Sequence, residues 1–396
     1  MDGLGVTALT LVSAIGRGLD ATEAALRFGR GGLSRCSFEG LSLDTFVGEV
    51  AGLDDSSVVS DLMRYDCRNS RLAQLALQTD GFEDAARQAV SRYTPARVGI
   101  VIGTTSSGIQ EAERSYVERA SARSSPGSAF QFEYSQSHFS VTDFVRRYLG
   151  IRGPGFTVST ACSSSSKVFV DAQQLLAAGI CDAVVVGGVD SLCWMTLCGF
   201  NSLQLLSKLP CRPTDANRDG LSIGEAAGFA IVERSAASKG RVIARLLGCG
   251  ESCDAHHMSA PHPEGLGAML AMRGALTQAR ISPADVDYIN LHGTGSPAND
   301  RAEDLAICSV FGTGKPCSST KGWTGHALGA AGIVEVVISV AALRHGFMPG
   351  NLNLETPDKD IHSEIVRDSR SAPIRCVLTN SFGFGGSNCS LILAKT

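Results

Sequence analysis

Short β-branched runs that stop at glycine or at a polar turn recur along this 396-residue chain. They stand at residues 98–102 before Gly103, at 183–186 before Gly187-Gly188, and at 228–232. The second half continues the pattern at 242–247, 288–291, 374–379 and 389–394. Unbroken apolar runs of this length predict buried strands, although periodicity alone does not separate them from buried helix. Between them, helical patterning predicts helices over 70–90, 140–149, 167–178, 267–279, 300–310 and 329–345. Alternation of this kind predicts a layered α/β protein.

Two of these helices begin without bulk, one after Cys162 and one at Gly329-Ala330-Ala331-Gly332, which predicts central, closely packed elements. A strand running into a glycine turn occurs both at Ile102-Gly103-Thr104 and at Asn380-Ser381-Phe382-Gly383, a weak internal similarity. It suggests two related halves, 1–238 and 239–396, meeting near 234–241. Residues 119–127, rich in Ser and Arg with one Pro, read as a mobile surface loop.

Composition narrows the class. The chain is 44% hydrophobic and 19% charged with a formal net charge of −4, ordinary for a soluble globular protein with room for two cores. A near-neutral balance gives no support to nucleic-acid binding, which would want a basic excess. Thirteen cysteines, an odd number with no metal-type CxxC pair, argue against a disulfide framework and for free thiols in a reducing cytoplasm. Met1-Asp2-Gly3-Leu4 lacks a signal-peptide pattern, and apolar runs such as 183–189 are too short to span a bilayer. The expected location is the cytoplasm, with no membrane span and no nucleic acid.

The densest chemistry lies in Ser159-Thr160-Ala161-Cys162-Ser163-Ser164-Ser165-Ser166. A strand–Cys–helix corner sets one sulfur at the positive end of a helix, which lowers the cost of a thiolate. Two histidine motifs follow at long range, His292-Gly293-Thr294-Gly295 and Gly325-His326-Ala327-Leu328-Gly329. One cysteine with distant histidines is the raw material of nucleophilic acyl transfer. Competing readings are weaker. The serine run has no G-x-S-x-G elbow. His256, His257 and His262 have no accompanying carboxylate or cysteine set, so no metal is expected. Residues 103–108 lack the Gly-Lys-Ser/Thr ending of a phosphate loop. Arg64, Arg68 and Arg71 offer either a basic face for an acidic partner or ordinary solvated charge.

Taken in order, the motifs resemble the β-ketoacyl-[acyl-carrier-protein] synthases over nearly the whole chain. The resemblance runs through Thr160-Ala161-Cys162-Ser163-Ser164-Ser165, Arg212-Pro213-Thr214-Asp215, Gly224-Glu225-Ala226-Ala227-Gly228 and Asp254-Ala255-His256-His257-Met258. It continues through His292-Gly293-Thr294-Gly295-Ser296-Pro297, Ser319-Thr320-Lys321-Gly322-Trp323-Thr324-Gly325-His326 and Asn380-Ser381-Phe382-Gly383-Phe384-Gly385-Gly386-Ser387-Asn388.

The resemblance implies the thiolase fold, an α/β duplicated αβαβα architecture with two five-stranded sheets, assembled as a dimer with the site near the interface. It implies decarboxylative condensation of an acyl group held on Cys162 with a malonyl-acyl-carrier protein. The backbone N–H groups of Cys162 and Phe384 would form one oxyanion hole, and His292 and His326 would steady the second oxyanion. Lys321 and Glu335 match a supporting pair, while Thr294 and Ser296, with His257 and Ser259, match positions beside the carrier's phosphopantetheine arm. No cofactor bound by the enzyme itself is implied. Phe200 would gate the acyl pocket and Ser106 would stand at its far end, where relatives carry a bulky aliphatic residue. Gly295 in the first histidine motif looks more like polyketide ketosynthases than fatty-acid enzymes. The implied partner is acyl-carrier protein, with either a second copy or a related chain-length subunit as dimer mate. Two alternatives remain: a non-condensing chain-length-type subunit, which would have lost Cys162, and a non-decarboxylating thiolase. A thiolase would carry a second catalytic cysteine near the C-terminal glycine motif, and Cys389 is misplaced for that.

Overall fold

The computed structural model describes residues 3–122, 130–234 and 242–396. Its strands are β1 (Leu4–Ser13), β2 (Val98–Gly103), β3 (Gly155–Val158), β4 (Ala183–Asp190), β5 (Ala226–Arg234), β6 (Ala244–Cys253), β7 (Tyr288–Asn290), β8 (Pro316–Ser318), β9 (Glu364–Ile365), β10 (Cys376–Phe382) and β11 (Ser387–Ala394), beside a few two- and three-residue strands. The main helices are α1 (Arg68–Leu77), α2 (Phe82–Tyr93), α3 (Ile109–Ala122), α4 (Phe139–Leu149), α5 (Ser164–Ala177), α6 (Trp194–Ser202), α7 (Leu266–Ala279), α8 (Pro297–Phe311) and α9 (Ala331–His345).

The strand path shows the duplication. The first five strands lie in the order β3-β2-β4-β5-β1 and the later ones in the order β8-β7-β10-β11-β6, with β9 outside β8. Directions match as well: β2 is parallel to β3 and β4, as β7 is to β8 and β10, and the added β9 is parallel to β8, while the remaining neighbours are antiparallel. This is the thiolase fold expected from the resemblance. The two sheets are not separate, however. Pairs Leu4↔Leu246, Gly5↔Arg245 and Val6↔Ala244 stitch β1 to β6 at their common edge.

Three hydrophobic cores separate the layers. Ala183 and Val185 of β4 join the core beneath α1, α2 and α4, whereas Val184 and Val186 face the central helices. Likewise Leu378 and Ile392 face α7 and α8, while Val377, Leu391 and Leu393 point inward. This two-residue alternation between two buried faces produces the apolar runs read from the sequence. Helices α5 and α9 fill the middle layer and touch each other. A Cβ on Gly332 would lie 2.6 Å from the Ser166 backbone nitrogen, so the small residues at both helix starts set the interhelical approach. The stretch Leu328–His345 is apolar enough to cross a membrane by composition, yet 89% of it is buried here as the core helix.

Several expectations need correction. The helix predicted over 70–90 is two helices, broken where Asp80 and Gly81 take positive φ (58° and 68°). The expected loop at 119–127 starts inside α3, and its part from 123 onward lies outside the described residues. So does the expected boundary at 238/239. The internal similarity was also misplaced: β7 is the counterpart of β2, and the Asn380–Gly383 segment belongs with β4. Finally, Arg68 and Arg71 do not make a face for an acidic partner. Arg68 is only 4% exposed and pairs with Glu225, Glu49 and Asp54, and Arg71 is forked onto Asp66.

Candidate active site

Symmetry explains how residues 164 positions apart meet. Each half sends its third strand into a central helix, β3 into α5 and β8 into α9. Cys162 sits in the turn before α5, and His326 sits in the turn before α9. Both turns are strained: Ala161 has φ 52° and Leu328 has φ 51°, values that side chains bearing a Cβ adopt only when the surroundings fix them. The strain aims both side chains into one cavity of about 270 Å³.

In that cavity His326 Nε2 lies 3.0 Å from Cys162 Sγ, and the rings of His292 and His326 meet edge to face with centroids 5.3 Å apart. The Phe384 N–H donates to the sulfur. Gly383 makes this possible, since a Cβ there would lie 2.7 Å from the Thr160 carbonyl oxygen and 3.3 Å from the Cys162 nitrogen. Phe384 in turn stacks on Phe200 with centroids 5.7 Å apart, and both rings line the cavity.

Behind the histidines lies a buried polar network. Lys321 pairs with Glu335, donates to the His292 carbonyl oxygen, and stands 3.4 Å from His292 Nδ1. Glu335 also accepts from Ser381 Oγ at 3.0 Å. An ammonium facing Nδ1 leaves the His292 hydrogen on Nε2, the nitrogen turned toward the cavity. His326 has no partner for Nδ1 among the described residues, and its Nε2 faces the sulfur, with which it shares one hydrogen. Burial, reinforced by Lys321, holds both imidazoles well below the usual histidine pKa, so both are neutral near pH 7.

The sulfur departs from expectation. Position near a helix N-terminus was expected to lower its pKa, but burial pushes the Cys162 thiol up to about 11 against the pull of Lys321 and the Phe384 N–H. Desolvation outweighs the helix end because the sulfur is sealed beneath side chains. Among the groups that favour the thiolate, the Lys321 charge comes first and the Phe384 N–H second.

Thr294, Ser296 and Ser259 line the cavity, with Thr294 Oγ1 2.9 Å from Ser296 Oγ. His257 does not line it. It is exposed and accepts the Ser259 N–H through Nδ1 at 3.2 Å. Ser106 is also displaced from its expected place: its N–H and Oγ both donate to Asp190, at 2.9 and 2.7 Å, and it is absent from the cavity wall. Its hydroxyl could not stay unpaired in an apolar pocket end, and a buried carboxylate claims it.

Two acids escaped the sequence reading. Glu303 receives the N–H groups of His292 and Gly293, both at 2.8 Å, and burial raises its pKa to about 7. Asp190, fully buried, holds residues 104–106 and Gly329. Glu303 lies eleven residues after His292, on the helix that the histidine motif opens. That spacing was a usable signal, whereas nothing local marks Asp190.

The ligand atoms of Cys162, His292 and His326 lie within 4.8 Å of one another, a donor set that suits zinc. The electrostatics oppose it. Coordination would need the Nε2 lone pair of His292, and Lys321 keeps a hydrogen there and a positive charge close behind. A larger cavity of about 600 Å³, lined by Arg92, Glu233, Arg344 and Lys395, contains none of these groups.

Comparison with known proteins agrees with this geometry. The family described as Beta-ketoacyl synthase, N-terminal domain, matches residues 64–238, and the corresponding C-terminal domain matches 243–355. A 3-oxoacyl-[acyl-carrier-protein] synthase 2 of Coxiella burnetii is 33% identical, covering 98% of each chain. The mitochondrial 3-oxoacyl-[acyl-carrier-protein] synthase of Arabidopsis thaliana is 32% identical over 98% of this chain and 92% of its own. Among solved structures, a chain of the complex between a ketosynthase (ApeO) and its chain length factor (ApeC) from Xenorhabdus doucetiae superposes with TM-score 0.90 at 36% identity, covering 100% of this chain and 98% of its own. A chain of the ishigamide ketosynthase/chain length factor gives TM-score 0.91 at 27% identity, with 100% and 99% coverage. With relatives of this identity matched from end to end, the chain belongs to the β-ketoacyl synthase family.

Proposed function

We propose that this chain is an elongating 3-oxoacyl-[acyl-carrier-protein] synthase that joins an acyl group on Cys162 to a malonyl unit with loss of carbon dioxide. The observation that carries the reading is one sulfur and two imidazole rings converging on one apolar cavity, with the sulfur beside the Phe384 N–H.

Cys162 Sγ attacks the acyl thioester brought on the phosphopantetheine arm of an acyl-carrier protein. Charge on the carbonyl oxygen falls on the backbone N–H groups of Cys162 and Phe384, and the thiol proton ends on the departing sulfur of the arm. Malonyl-carrier protein then enters past Thr294 and Ser296. As its carboxylate leaves as carbon dioxide, the electron pair moves onto the thioester oxygen, where the Nε2–H groups of His292 and His326 receive it. The carbanion carbon attacks the acyl carbonyl, the bond to Cys162 breaks, and the thiolate takes a proton from water. Neutral imidazoles suit this step, because they donate without giving up a proton to the enolate. Removing one such donor costs roughly 10²–10³ in rate. Lys321 and Glu335 support the histidines, and no metal or bound cofactor enters the chemistry.

The enzyme works as a dimer in the cytoplasm, with a copy of itself or with a related chain-length subunit. The second pairing is favoured by likeness to chains of two ketosynthase/chain length factor complexes. It fits fatty-acid or fatty-acid-like polyketide and polyene synthesis. Reconstitution with acyl- and malonyl-carrier proteins tests the reading: carbon dioxide and 3-oxoacyl-carrier protein should appear in equal amounts. Condensation that proceeds with an acetyl thioester in place of malonyl-carrier protein, without carbon dioxide, would indicate thiolase chemistry, and no product from either would indicate a non-condensing subunit.

A further inference from the structure

Asp190 ends β4 with no exposure to solvent, and among the described residues it forms no ion pair. Its charge is instead met by donors alone. Thr104 Oγ1, Ser106 N and Ser106 Oγ reach Oδ1 at 2.8, 2.9 and 2.7 Å, and Thr105 N lies 2.9 Å from it. Thr105 Oγ1 and the Gly329 N–H reach Oδ2 at 2.7 and 2.6 Å. A carboxylate so saturated is rigid, because losing any bond leaves a buried donor unpaired.

Gly329 is the important recipient. It follows Leu328, whose φ of 51° is the strained point of the turn that begins at His326. That turn is held upstream by His326 N donating to the Ser222 oxygen at 2.7 Å and by Gly224 N donating to the His326 oxygen at 3.0 Å. Downstream, the side-chain clamp is Asp190. The fit is close: a Cβ on Gly329 would lie 2.7 Å from Asp190 Oδ2. Strain of this kind persists only where the surroundings over-determine it.

We propose that Asp190 is a positioning residue for the condensation, fixing the His326 ring at the malonyl thioester by clamping Gly329. The inference rests on the condensing function proposed above. Asp190 touches no substrate. Asp190→Asn retains the shape but replaces acceptor capacity with N–H donors that face other donors, so the turn relaxes. Displacement of a catalytic group by about 1 Å costs on the order of 100-fold, and residues supporting a catalytic group from behind cost about 10- to 100-fold.

The test measures carbon dioxide release from malonyl-acyl-carrier protein, in the Cys162→Gln background so that only the histidine-dependent step is read. Asp190→Asn should lower kcat, counted per folded enzyme from its near-UV circular dichroism and melting curve, about 10- to 100-fold with KM for malonyl-carrier protein unchanged. Gly329→Ala, which keeps the Asp190 carboxylate but crowds it at 2.7 Å and Thr105 at 3.0 Å, should do the same. Thr105→Val removes one bond to Oδ2 while sparing Gly329, and should change kcat less than about twofold on that logic. Asp190→Asn releasing carbon dioxide as fast as its parent overturns the inference alone. So does Thr105→Val losing as much as Asp190→Asn. A parent that releases none overturns this inference and the function it rests on together.

Discussion

Lys321→Met separates the two tasks assigned to the buried pair. The Lys321 and Glu335 side chains are 3% and 2% exposed, and after substitution Glu335 keeps, among the described residues, the Ser381 hydroxyl at 3.0 Å. Stranding a buried carboxylate by removing its partner costs about 3–5 kcal/mol. The carboxyl has an escape, because taking a proton reduces the cost to that of a lost hydrogen bond, about 1 kcal/mol. Burial already raises the Glu335 pKa against the pull of Lys321, and losing Lys321 raises it further. A group whose pKa is higher in the folded state stabilises fully below its unfolded pKa and loses that contribution as pH rises. The variant should therefore be near parental stability in acid and weaken toward alkaline pH. The gap between those limits is about 2–4 kcal/mol. Urea unfolding from pH 5 to 9 reads this directly. Lys321→Met/Glu335→Gln should regain most of the stability without regaining decarboxylation, since the ammonium at His292 Nδ1 is still missing. A single variant that loses under about 1 kcal/mol at pH 8, or a double variant that decarboxylates at the parental rate, would refute the reasoning.

Cys162→Gln should still release carbon dioxide from malonyl-carrier protein but form no 3-oxoacyl product; condensation by that variant would remove Cys162 from the mechanism. His292→Ala should lose decarboxylation by roughly 10²–10³ while Cys162 is still acylated by acyl-carrier protein, and unchanged carbon dioxide release would contradict its role. Because burial lifts the Cys162 thiol to about 11, its alkylation by iodoacetamide should keep rising from pH 6 through pH 9; a plateau near neutrality would show that the helix end prevails over desolvation. Gly383→Val should abolish acylation, as its side chain would collide with the Thr160 carbonyl and displace the Phe384 N–H; an active variant would place the oxyanion hole elsewhere.

The chemistry was legible because it sits in contiguous motifs. Cys162, His292 and His326 each lie in a run of small residues that strained turns and close helix packing require, so the demand on the backbone is written beside the reactive group. The layered fold was legible for a similar reason: strands buried on both faces leave unbroken apolar runs. What failed was long-range. Nothing near Arg68 signals that Glu225, 157 positions away, will bury it. Ser106 could be aligned with a pocket wall, but its hydroxyl follows Asp190, 84 positions away. The sulfur's pKa was misjudged because a helix end is visible in sequence and desolvation is not. His257 failed on a smaller scale, since a turn of two residues decides whether its ring faces cavity or solvent.

Intact-protein and peptide mass spectrometry after mixing with an acyl-carrier thioester probes the shared basis of the chemistry most directly. One acyl group should appear on the Cys162 peptide and vanish, with formation of the chain-extended product, when malonyl-carrier protein is added. An enzyme that makes that product while Cys162 stays unmodified, or an adduct there that malonyl-carrier protein cannot discharge, would contradict it.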